Sequence, residues 1–118
     1  MHKFKELDVY TKALRYTKAV GQTTKKFSRD EIYGLAAQFQ RAADSIVLNI
    51  AEGAGNSSKK EFSKFLGYSI RSGFECLGCS DISLENDFVD TSTYTELTFK
   101  VNEIIAMLYG LQKSLFRS

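Results

Sequence analysis

The sequence predicts an all-α protein, an antiparallel up-down-up-down four-helix bundle, and three observations predict it. The 118 residues include no proline, where ordinary usage of about five per cent would place several. Long uninterrupted helices are therefore expected. Apolar residues recur at helical spacing in four successive segments, and no segment alternates with period two over a strand's length. Helix-starting and turn-forming residues separate the four segments. With 43% hydrophobic and 25% charged residues the chain can bury one core, so residues 1–118 are expected to form a single domain.

The first segment starts near Asp8. Leu7, Tyr10, Ala13, Leu14, Thr17 and Val20 share one face, while Lys5, Lys12, Arg15, Lys18, Lys25 and Lys26 fall on the opposite half. The second opens on Ser28-Arg29-Asp30-Glu31, which fits a capping box, a hydroxyl and a glutamate satisfying orphan amides reciprocally. It continues through Ile32, Leu35, Ala36, Phe39, Ala42, Ala43, Ile46 and Ile50. Gly53-Ala54-Gly55-Asn56 is expected to end it with a glycine in the left-handed region. A second box, Ser58-Lys59-Lys60-Glu61, opens the third segment, whose stripe is Phe62, Phe65, Leu66, Ser69, Ile70, Gly73 and Leu77.

Turn formers fill Asn86 to Ser92, and a third box, Thr93-Tyr94-Thr95-Glu96, is expected to open the last segment with Leu97, Val101, Ile104, Ile105, Leu108, Leu111 and Leu115. Helices of about 20 to 28 residues rise about 30 to 42 Å, and their short connections make consecutive helices antiparallel neighbours. Glycines 21, 34, 67, 73, 78 and 110 lie inside the helical patterns. Each costs about 1 kcal/mol against alanine, which close backbone approach within the bundle, or contact between subunits, would offset.

Two polar features stand out. Residues 1–27 hold seven basic side chains against two acidic ones, a net +5, whereas the remainder carries −3. The basic face of the first helix, Lys12, Arg15, Lys18, Lys25 and Lys26, is thus the candidate nucleic-acid-binding surface, with an ordinary solvated face as the alternative. Tyr10 and Tyr16 form no evident stacking platform beside it. On the second helix Gln38, Arg41, Ser45, Asn49 and Glu52 lie along one narrow line. A hairpin turning near Asn56 brings Arg41 opposite Ser72 and Glu75. A partly buried Arg41–Glu75 ion pair and a structural polar network are the expectations there, with a ligand site as the alternative.

The stretch Gln38 to Gly53, QFQRAADSIVLNIAEG, resembles the signature of bacterial ribosomal-RNA intervening-sequence proteins, a four-helix bundle family that includes the accessory variability determinant of diversity-generating retroelements. Phe4, Leu7 and Val9, Tyr33-Gly34-Leu35, Lys60-Glu61-Phe62, Phe65-Leu66, Ser72, Glu75, Met107-Leu108 and Leu111 extend the likeness over nearly the whole chain. It departs at Ser28 and Val47, where members usually or often have proline, and at Arg71, where glycine is usual. The resemblance implies a cytosolic homo-oligomer, a ring of five, and does not imply catalysis. For the retroelement branch it implies binding of RNA or DNA and of a reverse transcriptase.

Catalytic and metal chemistry is poorly provided for. The single histidine is His2, which leaves no nucleophile–histidine arrangement, and no Glu-x-x-His motif is present for a di-iron bundle. Phosphate-cradling glycine motifs are absent as well. Cys76-Leu77-Gly78-Cys79 reads C-x-x-C, but zinc wants four ligands and redox motifs sit at helix N-termini. Buried free thiols are expected, with no metal or cofactor.

The N-terminus has no apolar stretch before a small-residue cleavage site, and no apolar run approaches a membrane span. These point to the cytoplasm without membrane association. Two readings follow: a non-enzymatic oligomeric accessory protein that binds nucleic acid through the first helix, or an adaptor bundle that docks a protein partner without touching nucleic acid.

Overall fold

The computed structural model describes residues 4, 7–55 and 58–117. His2, Lys5, Asn56 and the side chain of Ile32, all singled out above, lie outside the described residues. Helix α1 spans Asp8–Thr24, a short α2 spans Arg29–Glu31, a π-helical turn follows at Ile32–Ala36, and α3 (Ala37–Ala54), α4 (Lys59–Glu85) and α5 (Thr91–Ser114) complete the chain. Among the described residues there is no strand.

Cross-helix contacts fix the topology. The Ser69 hydroxyl donates to the Ile46 carbonyl at 2.9 Å, and the Ser72 and Ser45 hydroxyls lie 2.9 Å apart, so α4 runs back along α3. Tyr94 donates to Asp81 at 2.7 Å and Gln112 to the Ser63 carbonyl at 2.9 Å, which makes α5 antiparallel to α4. Gln40 Nε2 reaches the Thr17 carbonyl at 3.3 Å, and Lys12 pairs with Glu103 at 3.1 Å. Helix α1 therefore lies between α3 and α5, and the order around the bundle is α1, α3, α4, α5. The up-down-up-down arrangement read from the sequence is the one observed, in a body 48 × 23 × 20 Å.

The stripes predicted for the later segments meet along the axis, but the buried face of α1 is rotated from the predicted one: Leu14 is exposed, Leu7, Tyr10 and Thr17 are half-buried, and Val9 and Tyr16 take the core positions beside Ala13 and Val20. Val9, Ala13, Tyr16 and Val20 pack with Phe39, Ala43, Ile46 and Ile50, and with Phe62, Leu66, Val101, Ile104 and Leu108, all buried. Two glycines allow this approach. A Cβ on Gly53 would stand 2.6 Å from Phe65 Cβ, and one on Gly73 would stand 2.7 Å from Ile105 Cγ1, distances that real side chains do not tolerate. Gly78 and Gly110 have open space around them, so packing within the bundle does not account for those two.

Four local expectations need correction. The second segment is not one continuous helix: Gly34, at φ −105° and ψ −106°, leaves the helical path and separates α2 from α3. Without a Cβ, glycine reaches such a conformation at little steric cost, and this breaks the predicted stripe between Ile32 and Leu35. The first capping box forms no side-chain cap that the structure shows; the Glu31 N–H donates to the Ser28 backbone carbonyl at 2.9 Å. By contrast Ser58 caps α4 as expected, accepting from the Glu61 N–H at 3.2 Å.

The start of α5 is set by Asp90 instead of Thr93: its carboxylate accepts the Thr93 N–H at 2.7 Å. An ionised acceptor at a helix N-terminus is favoured by the macrodipole as well as by the hydrogen bond, so the helix begins three residues earlier. The backbone hydrogen bond from Thr93 holds the Asp90 carboxyl below the usual aspartate range. Gly55, finally, closes α3 at φ −73°, and no described glycine has positive φ.

The left-handed residue is Asp87 instead, at φ 60°. Phe88 N–H donates to the Ser83 carbonyl at 2.8 Å and Asp87 N–H to the Leu84 carbonyl at 3.0 Å, the paired bonds of a Schellman motif. Phe88 then stacks near Phe27, ring centroids 5.4 Å apart, closing that end of the bundle. Because a left-handed non-glycine residue costs about 1–2 kcal/mol, Asp87→Gly is expected to raise stability by about 1 kcal/mol. Urea denaturation would show it as a higher midpoint with an unchanged slope.

Candidate nucleic-acid interface

The amphipathic pattern of α1 determines what it shows to solvent. Val9, Ala13, Tyr16, Val20 and Thr24 are buried, which leaves Arg15, Lys18, Lys25 and Lys26 exposed on the other side. Arg15 and Lys18 lie on α1 itself, and Lys25 and Lys26 follow its last residue in the turn that ends it. Among the described residues none of these four takes part in an ion pair.

Lys12 differs from the other four. Its ammonium is 3.1 Å from the Glu103 carboxylate, so it serves the α1–α5 seam and is half withdrawn from solvent. On α5, Lys100 is likewise held, 2.9 Å from Glu96 one turn earlier. Exposed pairs of this kind contribute little to stability, but each of these two cations has a carboxylate beside it.

Phe99 is the residue that sequence reading passed over. It is 70% exposed, and it lines a cleft of about 350 Å³ between α1 and α5 with Lys12, Arg15, Tyr16, Lys100, Glu103 and Ile104. The signal was present: Phe99 lies two positions from Val101, off the α5 stripe, where an apolar residue has no internal partner. A second cleft, of about 340 Å³, continues toward the end of α1 between Lys26 and Asp90.

The polar stripe of α3 divides. Ser45 and Asn49 join Ser72: Asn49 Nδ2 donates to Ser45 Oγ at 3.0 Å and to the Ser45 carbonyl at 2.9 Å, and Ser72 completes the contact. Gln38, Arg41, Glu52 and Glu75 are exposed. The hairpin does set Arg41 roughly level with Glu75, since Ser45 meets Ser72, yet among the described residues no ion pair joins them. In water two long side chains gain too little from pairing to fix one geometry. The residue that links α3 to α1 is Gln40, off the stripe, which bonds the Thr17 carbonyl and Asp44. Arg71 projects into solvent with its guanidinium 5.7 Å from the Tyr68 ring centre, so the departure from glycine there crowds nothing.

Cys76 and Cys79 are free and buried. Burial pushes the Cys76 thiol up to about 12 and the Cys79 thiol up to about 11. Such thiols carry almost no thiolate near neutral pH and are inert as nucleophiles. Tyr16, 1% exposed, has its phenol pushed upward by burial and then by the neighbouring Cys76. No helix is long and apolar enough to cross a membrane among the described residues.

A family model described as 23S rRNA-intervening sequence protein matches residues 5–110. A solved structure from Bacteroides thetaiotaomicron, described as a protein with unknown function from the S23 ribosomal protein family, superimposes with a TM-score of 0.83 at 19% identity. The match covers 89% of this chain and 98% of that one, and at that identity it speaks for the fold. No curated protein matches the chain.

Proposed function

The chain belongs to the 23S rRNA-intervening sequence protein family, and from that premise we propose that it is a non-enzymatic, cytoplasmic accessory protein. It assembles into a homo-oligomer, a ring of five, and binds the backbone of RNA or DNA through the basic side of α1. The observation that carries this reading is the set of four cations, Arg15, Lys18, Lys25 and Lys26, exposed along α1 and the turn that ends it, with no ion-pair partner among the described residues. Cations so placed release counterions from a phosphate backbone. Repetition around a ring multiplies a weak contact into a belt.

Self-association has its own support. Leu14 and Leu48, 45% and 64% exposed, border a hollow between α1 and α3. Phe74 and Tyr109, 53% and 47% exposed, lie on α4 and α5, across the bundle. Exposed apolar side chains on opposite sides of the bundle suit a head-to-tail contact, which closes into a ring when the rotation allows. Gly78 and Gly110, unexplained inside the chain, lie on the α4 and α5 side and would let a second copy approach. The same side chains favour the second reading, an adaptor whose apolar surface docks a protein such as a reverse transcriptase.

Replacing Arg15, Lys18, Lys25 and Lys26 together by glutamine separates the two readings. Binding of a structured RNA and of a duplex DNA is measured across a salt series, with particle mass determined in the same buffer. We expect the variant to keep its mass and to lose about 100-fold or more in affinity at low salt, with a log–log salt slope shallower by about 3 to 4. A variant that binds as tightly as the parent sinks the nucleic-acid reading and leaves the adaptor.

A further inference from the structure

We propose that the cleft between α1 and α5 receives an unpaired nucleobase stacked on Phe99, so that the natural ligand of the basic surface is single-stranded or bulged nucleic acid instead of uninterrupted duplex. This rests on the reading of α1 as a nucleic-acid surface and goes further, to the kind of strand and the side chain that holds it.

The argument starts from what a phenyl ring loses in water. The buried stripe of α5, Leu97, Val101, Ile104, Ile105 and Leu108, already supplies its core contacts, and Phe99 adds none, being 70% exposed. It faces the cleft that Arg15 and Lys100 also line. An exposed aromatic beside cations is the pairing that single-strand binders use: the ring stacks on a base face, and the cations take the phosphates on either side. Stacking of this kind tolerates any base, because every base has a π face.

The charges around the ring fit the division of labour. Lys12 is tied to Glu103 at 3.1 Å and Lys100 to Glu96 at 2.9 Å, so the walls of the cleft are close to neutral and suit a base better than a phosphate. Arg15, which also lines the cleft, is exposed and outside any ion pair among the described residues. Its planar fork matches phosphate oxygens two at a time, and Lys18, also exposed, follows one turn further along α1. A base at Phe99 thus has phosphate partners on one side of it. A base inside a duplex has both faces covered by its neighbours and cannot reach the ring.

The sequence contains no tryptophan, so Phe99→Trp places a single indole at the proposed site. The probes are a 20-nucleotide oligo(dT) and a blunt 20-base-pair duplex, titrated against the full-length protein at fixed low salt. We expect oligo(dT) to quench the indole emission of Phe99→Trp saturably while the duplex does not. Phe99→Ala is expected to weaken oligo(dT) by about 5- to 150-fold and to leave duplex affinity within about twofold.

Each other outcome overturns the proposal. Duplex binding that depends on Arg15 and Lys18, with Phe99→Ala silent on oligo(dT), leaves the basic surface standing and removes the stack. Equal weakening of both probes does the same. A lower particle mass for Phe99→Ala makes Phe99 a contact between copies of the chain. A parent protein that binds neither probe removes this proposal and the nucleic-acid reading together.

Discussion

Gly53→Ala is expected to destabilise the bundle by about 2 kcal/mol, although the same exchange two residues later should stabilise it. Alanine in place of a helical glycine ordinarily gains about 1 kcal/mol from backbone entropy. At Gly53 the added Cβ would stand 2.6 Å from Phe65 Cβ, 3.1 Å from Phe62 Cδ1 and 3.3 Å from the Phe62 carbonyl oxygen. Phe65 Cβ is one bond from its own backbone and cannot swing away. Relief therefore requires α3 and α4 to part along their seam, which strains or empties the packing of Phe62 and Leu66, both buried. Overpacking of this kind costs about 1–3 kcal/mol, occasionally more.

At Gly55, φ is −73° and ψ is −12°, and among the described residues a Cβ would meet only the Ala51 and Glu52 carbonyls at 3.5 Å. There Gly55→Ala should gain about 0.4–1 kcal/mol by narrowing the unfolded ensemble. Urea denaturation of the two variants at one protein concentration checks the pair. Shifts of the same sign would mean that the α3–α4 seam yields more easily than its geometry indicates.

Between pH 9 and 12 the protein is expected to lose stability steeply, with Cys76 the foremost cause. Its thiol titrates near 9 when exposed and near 12 in the fold, because burial disfavours the thiolate. A raised folded value means that the folded state holds the proton longer than the unfolded one. The contribution is intact below pH 9 and is lost as pH rises toward 12, about 4 kcal/mol for a shift of that size. Cys79, raised to about 11, and Tyr16, raised by burial, act in the same direction.

Cys76→Ala removes the foremost group. Its stability at neutral pH should fall modestly, since a small buried side chain is shortened, but its decline above pH 9 should be shallower than that of the parent. Denaturation midpoints at pH 8, 9, 10 and 11 would show the two curves converging. Parallel curves would mean that Cys76 ionises without unfolding the core.

Much of the fold was legible because apolar spacing and the absence of proline are direct instructions to a backbone. The stripes of α4 and α5 are largely buried where spacing placed them, and Ser58 caps α4, whereas the buried face of α1 is Val9, Ala13, Tyr16, Val20 and Thr24, turned away from the expected line through Tyr10, Leu14 and Thr17. What the pattern could not convey was competition between local options. Asp90 outbids Thr93 as a cap, Asp87 takes the left-handed turn expected of glycine, and Gly34 breaks a helix whose periodicity runs through it. Each depends on energies of a kcal/mol or so that periodicity does not register. The polar stripe was legible as a line but not as a network: Ser45, Asn49 and Ser72 meet because they are short and half-buried, whereas Arg41 and Glu75 reach into water. Phe99 was visible as an apolar residue off its stripe, yet only the closing of α5 onto α1 shows that it stands beside Arg15.

That closing also orders events in time. Lys12 and Glu103, the pair that joins the two helices, are ninety-one positions apart in the chain. At ribosomal speeds of about 5–20 residues per second, some 5 to 18 s pass between the appearance of one and of the other. During that interval α3 and α4 can already pair with each other and with α1, while the side of α1 that bears Tyr16 waits for its last neighbour. The cleft at Phe99 has only one wall until then. The surface proposed to meet nucleic acid is therefore assembled only once α5 has been made, and a nascent chain carries its cations before it has the site they are meant to serve.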